Sequence, residues 1–443
     1  MQIEADGTSQ KKVLVTSCCF MGLSHILFLK EYLKGALYAL VEIAFLCFLP
    51  FTCKKVVNLI TLGPKIDSDI WSLPVKEHPN SVHMLIDGIL VLAVFSVFVA
   101  VYVISVRGAQ KSYREYCRTK RFMSQKASLS ELGNRAFPLA GLTPCVLMLL
   151  VFVVVPLVFS ILVAFTNYNV SHIPPKNKVD WVGFSNFKDL FTGGNSWSSG
   201  FARIAVWTLI WAILSTFTCY FGGLLVAVQL KESGIKGASV FRFIFILPYA
   251  VPGVITMLVW KNMLNGSFGT VNKTLQALGI LTNGQVIPWL SDATLAQIMC
   301  IVINLWSGFG YFMMLTMGTM TAISQDLYEA AKIDGANGPQ ILRHITLPLV
   351  LYQTMPLIIM SFTHNINNFG IIYFLTGGAP TVADSTITSA GATDILVTWI
   401  YKLTITLQRY DYASVIAVLI FVVLAPFAIY QFMQTKAYKE GEV

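Results

Sequence analysis

Long unbroken apolar blocks constrain this chain more than any other feature. An α-helix rises about 1.5 Å per residue, so roughly 20 apolar residues cross a hydrocarbon core about 30 Å thick. The blocks that meet this length most clearly are 84–105, 137–165, 204–230, 241–264, 296–323, 349–376 and 412–433. The block 35–53 also reads as a span. The stretch 13–29 is weaker, because it holds Thr16, Ser17, Ser24 and His25, and it reads as a span, a re-entrant hairpin or an interfacial helix. The expectation is an all-α integral membrane protein with about eight transmembrane helices, or nine if 13–29 crosses. Composition agrees, since 55% of the 443 residues are hydrophobic and only 12% are charged. The polar first ten residues carry Glu4 and Asp6 and do not read as a cleavable leader.

Basic residues set the orientation. The segment 106–135 carries Arg107, Lys111, Arg114, Arg118, Lys120, Arg121, Lys126 and Arg135, which marks it as cytoplasmic. Alternating the spans then puts 231–237, 324–347 and the tail with Lys436 and Lys439 inside. The segments 167–200, 265–292 and 377–410 fall outside, and they are longer yet poorer in lysine and arginine. Topology therefore accounts for the net charge of +9 without nucleic acid as a partner. The eight cysteines form no metal or disulfide pattern, and Cys47, Cys145, Cys219 and Cys300 read as small hydrophobes within spans.

Several kinds of chemistry are missing. The chain has no G-x-x-x-x-G-K-[ST] loop for a nucleotide phosphate, no H-E-x-x-H zinc helix and no G-x-S-x-G nucleophile elbow. No cofactor is implied, and the chain does not read as an enzyme. A membrane glycosyltransferase would need clustered acids or a metal-binding pair at the membrane surface. A self-sufficient secondary sugar carrier is the alternative reading. It would need buried ionisable groups along its path, and the acids within apolar blocks are few, chiefly Glu42 and Asp87.

The cytoplasmic segment 324–348 suggests where energy enters. Ser324 is placed to cap a short helix, with Asp326 and Glu329 near its positive N-terminus. Gly335 ends that helix, Asn337-Gly338-Pro339 turns the chain, and a second short helix over 340–346 leads to Pro348 at the start of the next span. By physics alone this is equally well a surface turn joining two spans. However, the run Glu329-Ala330-Ala331, Asp334-Gly335-Ala336 and Ile345-x-Leu347-Pro348 resembles the EAA loop of ABC-importer permeases. That resemblance implies a coupling helix docked on a cytoplasmic ATPase subunit, with Glu329, Ala330, Ala331, Asp334 and Gly335 as its docking surface.

Further runs are similar to the sugar-type branch of those permeases. They are Thr166-Asn167-Tyr168 with Trp181-Val182-Gly183-Phe184, Ile246-Leu247-Pro248-Tyr249-Ala250-Val251-Pro252, Asn367-Asn368-Phe369, Leu375-Thr376-Gly377-Gly378-Ala379-Pro380 and the run 393–403 as the loop that follows. Together they resemble the larger, MalF-like permease of maltose and maltodextrin importers, in its Gram-positive form. The segment 167–200 is too short for the folded extracellular domain of the enterobacterial form, so no docking role of that domain carries over. The resemblance implies accessory helices and a basic linker in 1–135 and a six-helix permease core in 136–443. It implies oligosaccharide uptake by alternating access at the plasma membrane. The expected partners are a second homologous permease, a cytoplasmic ATPase dimer that hydrolyses the ATP, an extracellular sugar-binding protein and membrane lipid.

A polar stripe marks where the sugar would sit. Ser361, His364, Asn365 and Asn368 fall at i, i+3, i+4 and i+7, on one face of a helix. Polar groups in a bilayer need partners, so the stripe is either ligand-facing or glue between helices, and ligand contact is the favoured reading. Thr363 and Asn367, on another face, fit the glue role better. The resemblance implies the same four residues as substrate contacts, together with Asn304, Gly308 and Tyr249. His364 stands where the maltose permease has an aromatic residue. Tyr311, Phe369 and Tyr373 are candidate stacking surfaces for sugar rings.

Overall fold

The apolar blocks fold as helices, and among the described residues there is no strand, only two isolated bridges. The computed structural model describes residues 10–64, 78–119, 122, 124–232, 235–282 and 284–433. The first nine residues, Lys120 and Arg121 of the basic segment, and the tail with Lys436 and Lys439 lie outside the described residues. Among the described residues seven helices are long and apolar enough to cross a membrane, and one bent pair makes up to eight spans. Those residues form two compact units, Met1–Trp181 and Val182–Val443.

In the first unit, α1 (Gln10–Cys19) and α2 (Leu23–Leu27) are joined at Gly22, which takes φ +86°. Neither helix is long enough to span, so the stretch 13–29 is a short helical hairpin. Gly22 also sits against Gly35, where a Cβ would lie 2.2 Å from the Gly35 carbonyl oxygen. The hairpin folds onto α3 (Tyr32–Thr61) and α4 (Ser81–Thr119). Both acids noticed within the apolar blocks have partners there. Asp87 takes the ammonium of Lys55 at 2.6 Å, and Glu42 accepts from the Met21 amide. A buried cluster lies under the hairpin, where Glu31 meets His25 Nδ1 at 2.7 Å and Lys34 Nζ at 3.3 Å. Burial raises the Glu31 carboxyl, but hydrogen bonds from His25 and Ser112 and the Lys34 charge outweigh it, so the group sits below its ordinary value.

The last span of this unit runs from α5 (Gln125–Leu149) through one π-helical turn, Leu150–Val154, into α6 (Val155–Val163). Pro156 follows the wide turn. A proline cannot donate to the carbonyl four residues back, and a π turn makes room for its ring. Residues 141–149 are exposed on every face of the helix.

The second unit opens with α7 (Ser185–Thr192) and the 37-residue α8 (Ser196–Glu232). Next come α9 (Ala238–Ala250) and α10 (Gly253–Met263), bent by 90°. The block 241–264 is thus two helices meeting at a sharp bend and not one straight span. Pro252 disfavours helical geometry at the residue before it, and Val251 is extended at φ −80°, ψ 136°. After α11 (Thr270–Ala277) comes α12 (Ala293–Ala322), capped by Asp292, whose carboxylate accepts from the Leu295 amide at 2.8 Å. Helix α12 lies closely along α8. A Cβ on Gly223 would meet the Met313 amide nitrogen and the Phe309 carbonyl at 2.6 Å, so only glycine permits that approach.

Helix α13 (Gln325–Ile333) lies in the segment joining α12 to the next span. Helix α14 (Gly338–Ile341) then passes through a π turn, Leu342–Thr346, into α15 (Leu347–Ile366) as one 29-residue span. The expected separate helix over 340–346 is therefore the first part of that span, and the π turn again precedes a proline, Pro348. The block 349–376 also breaks near its other end. Helix α15 stops at Ile366, and α16 (Phe369–Leu375) restarts after Asn367 and Asn368.

The segment 377–410 holds α17 (Ser385–Thr388) and α18 (Leu396–Ile405), so the run expected as a loop at 393–403 is largely helical. A buried carboxylate, Asp394, organises it. Its oxygens accept from Lys402 Nζ at 2.6 Å, the Gly391 amide at 2.7 Å and Thr398 Oγ1 at 2.9 Å. Arg203 of α8 reaches the same region, bonding Asp384 at 2.9 Å and the Gly391 carbonyl at 2.8 Å. Helix α19 (Tyr410–Met433) completes the unit.

Candidate functional site: a polar cavity and a capped loop helix

Helices α8, α9, α10, α12, α15 and α16 enclose a cavity of about 350 Å³. All seven residues singled out in the sequence line it: Tyr249, Asn304, Gly308, Ser361, His364, Asn365 and Asn368. Both helix breaks sit at its wall, with Val251 beside one and Asn368 at the other. In a membrane, irregular backbone is tolerated where it lines a cavity.

Two helical stripes face each other across this space. One is Ser361, His364 and Asn365 of α15, continued by Asn368 just before α16. The other is Asn304, Ser307, Gly308 and Tyr311 of α12, with the same i, i+3, i+4, i+7 spacing. Ser307 was not expected, although the spacing it shares with Asn304 is visible in the sequence. Thr256 and Met257 of α10 also line the wall, and only the 90° bend brings them there. Tyr249 and Tyr311 pair with centroids 5.5 Å apart and give the cavity an aromatic side. No aspartate, glutamate, lysine or arginine is among the lining residues. Among the described residues no cluster of histidine, cysteine or acidic groups could hold a metal ion.

Some expectations need correcting. Asn365 does bridge helices: its Nδ2 donates to Thr216 Oγ1 at 2.9 Å, and its backbone carbonyl accepts from Trp211 Nε1 at 3.0 Å. Thr363 instead bonds its own helix, at the Ile359 carbonyl. Of these two, the side chain that bonds a neighbouring helix is Asn365. Phe369 and Tyr373 stack on each other at 4.7 Å and pack against Tyr401 of α18, away from the cavity lining. Of the three candidate stacking rings, Tyr311 is the one that lines it.

Helix α13 ends as its sequence suggests. Ser324 caps it by accepting from the Asp326 amide. At the other end Gly335 takes φ +79°, its amide donates to Lys332 O at 3.1 Å, and the Ala336 amide donates to Ala331 O at 2.9 Å. This pair of bonds is a Schellman cap, which places glycine at the left-handed position. Asn337 and Gln340 then form a capping box for α14. Glu329, Ala330, Asp334 and Gly335 are exposed. Ala331 is buried, so its methyl belongs to the inner face of the helix and not to an outward docking surface.

Residues 219–436 match the family of binding-protein-dependent transport system inner membrane components. The chain is 36% identical to a galactooligosaccharides transport system permease protein of Bacillus subtilis (strain 168), over 93% of this chain and 94% of that one. It is 35% identical to a maltodextrin transport system permease protein of the same strain, over 89% and 88%. Among solved structures it resembles a bacterial ABC transporter involved in the import of the acidic polysaccharide alginate. There the TM-score is 0.54 and the identity 25%, covering 70% of this chain and 99% of the other.

Proposed function

The chain belongs to the family of binding-protein-dependent transport system inner membrane components, and on that premise we propose that its polar cavity is the transmembrane site for a neutral hexose oligosaccharide. It is the permease subunit of a sugar ABC importer in the plasma membrane, and ATP is hydrolysed by partner subunits. The observation that carries the substrate reading is a lining without aspartate, glutamate, lysine or arginine, in which amide and hydroxyl groups accompany an aromatic pair. Sugars offer paired hydroxyls to such amides and apolar ring faces to such aromatics. A maltodextrin or a galactooligosaccharide meets these terms, and both name substrates of relatives. An acidic polysaccharide would bring carboxylates to a wall without lysine or arginine.

In this reading α13 docks on an ATPase subunit through Glu329, Ala330, Asp334 and Gly335, while Ala331 holds the helix to its own bundle. Residues 136–443 act as the permease core, paired with a second homologous permease and served by an extracellular sugar-binding protein. Closure of the ATPase dimer would move α13 and open the cavity alternately to either side.

Reconstitution tests this. Proteoliposomes holding this chain, a second permease, the ATPase and the binding protein should accumulate saccharide with ATP, and omission of any one component should abolish uptake. Uphill uptake by this chain alone would establish the secondary-carrier alternative instead.

A further inference from the structure

Cys219 of α8 does more than fill space between helices. It lines the cavity, and its thiol meets one residue of α12 twice. The thiol donates to the Asn304 backbone carbonyl at 3.4 Å, and Sγ accepts from Asn304 Nδ2 at 3.4 Å. A thiol is a weak donor and a weak acceptor, and both capacities are used here. Ser307 also donates to the Asn304 carbonyl, at 3.1 Å, but from the same helix and without touching the amide. Gly308, one turn further along α12, leaves room for the sulfur. A Cβ there would lie 3.0 Å from Sγ, so the thiol would have to give way.

The two cavity asparagines are therefore held to α8 in different ways. Asn365 is anchored by Thr216 at its amide and by Trp211 at its backbone carbonyl, so loss of Thr216 leaves one anchor in place. Among the described residues, both hydrogen bonds from Asn304 to α8 run through the single sulfur of Cys219.

We propose that Cys219 is a positioning residue for saccharide retention: its thiol fixes the Asn304 amide, whose Oδ1 and second hydrogen are left for the ligand. An amide tied through one N–H has its plane set before the sugar arrives. The ligand then bears less of the cost of ordering that side chain, which would otherwise count against binding. This role rests on the cavity being the sugar site, and it requires no contact between Cys219 and the sugar.

The test titrates radiolabelled maltotriose and, separately, β-galactotriose onto the assembled transporter, held with ATP and blocked in hydrolysis. With whichever probe the wild type retains, Cys219→Ala should weaken retention about two- to five-fold, part of the worth of one net hydrogen bond. Cys219→Ser keeps a donor and an acceptor and should restore most of the loss. Cys300→Ala is the packing control. Cys300 is fully buried on α12 one turn before Asn304 and is not among the cavity-lining residues, so its truncation should lower the melting temperature but spare retention. In an Asn304→Ala background, Cys219→Ala should weaken retention no further, because the group it orients is gone. Only complex recovered by gel filtration is titrated, and Cys219→Val, which keeps bulk without the bonds, carries the comparison if Cys219→Ala does not assemble. Independent losses in the double variant, or equal losses in Cys219→Ser and Cys219→Ala, would overturn the positioning role while leaving the sugar site standing. Unchanged retention in Asn304→Ala, or retention of neither probe by the wild type, would overturn the sugar reading of this wall and the role of Cys219 with it.

Discussion

Replacing Asn365 by alanine separates two roles that meet in one side chain. Its Nδ2 already donates to Thr216 Oγ1, and Thr216 is fully buried. An amide carries two donor hydrogens and two acceptor lone pairs. The second hydrogen and Oδ1 have no hydrogen-bond partner in the described residues, and the residue lines the cavity. Asn365→Ala therefore removes an interhelical bond and a ligand group together, whereas Thr216→Val removes only the former. Loss of the bond to Thr216 strands a buried hydroxyl, at about 1–3 kcal/mol. Thr216→Val should cost less, about 0.5–1.5 kcal/mol, because the freed amide still faces the cavity. The double variant should cost less than the sum, since both substitutions delete one shared bond. Sugar binding should divide differently. Asn365→Ala should weaken retention by roughly two- to twelve-fold, the worth of one net hydrogen bond, and Thr216→Val should leave it unchanged. Retention is read as radiolabelled saccharide recovered with the assembled complex, its ATPase blocked in hydrolysis and held with ATP, and stability as the melting temperature of the same preparation. If Thr216→Val loses sugar as severely as Asn365→Ala, the amide acts only through helix packing and the ligand contact is refuted.

Other substitutions test the frame around the cavity. Gly223→Ala would drive a methyl into the α12 backbone and should lower the stability of the complex by about 1–3 kcal/mol in thermal denaturation, whereas Gly253→Ala, with open space around it, should not disturb packing. Gly335→Ala meets no neighbour, so its cost is conformational alone, about 1 kcal/mol at a left-handed position; it should lower sugar-stimulated ATP hydrolysis while leaving membrane insertion intact. Asp394→Asn leaves Lys402 without its buried partner and should cost about 3 kcal/mol, the low end for such a loss because Lys402 keeps some water; proteolysis of the outer segment in membranes reads the effect.

The spans are legible because hydropathy and length suffice to define them. Their interruptions are less so. A hydropathy window averages across Val251-Pro252 and reports one block, although the pre-proline rule marks Val251 as extended. The break at Asn367–Asn368 has no proline, and only its two asparagines within an apolar run signal it. The π turns before Pro156 and Pro348 work in the opposite sense, since they keep continuous what a proline would otherwise divide.

The α15 stripe stands out because asparagine and histidine are expensive in a bilayer and therefore conspicuous. Ser307 on α12 is cheaper there and hides among ordinary span residues. Thr256 cannot be found from spacing at all, because a bend and not a register brings it to the wall. Phe369 and Tyr373 were candidates by residue type, but the direction of their rings is set by the restart of α16 against Tyr401. Ala331 shows the limit of a motif: the run Glu329-Ala330-Ala331 is contiguous in sequence, yet successive residues on a helix point about 100° apart, so one of them turns inward.

The most direct test of the account is electron cryomicroscopy of the assembled importer, trapped with ATP analogue and carrying a neutral oligosaccharide. Saccharide density should lie in the cavity, with a ring against Tyr249 or Tyr311 and hydroxyls within hydrogen-bond distance of Asn304, Asn365 and Asn368. Density for the sugar elsewhere in the complex, with this cavity closed or holding only water, would contradict it.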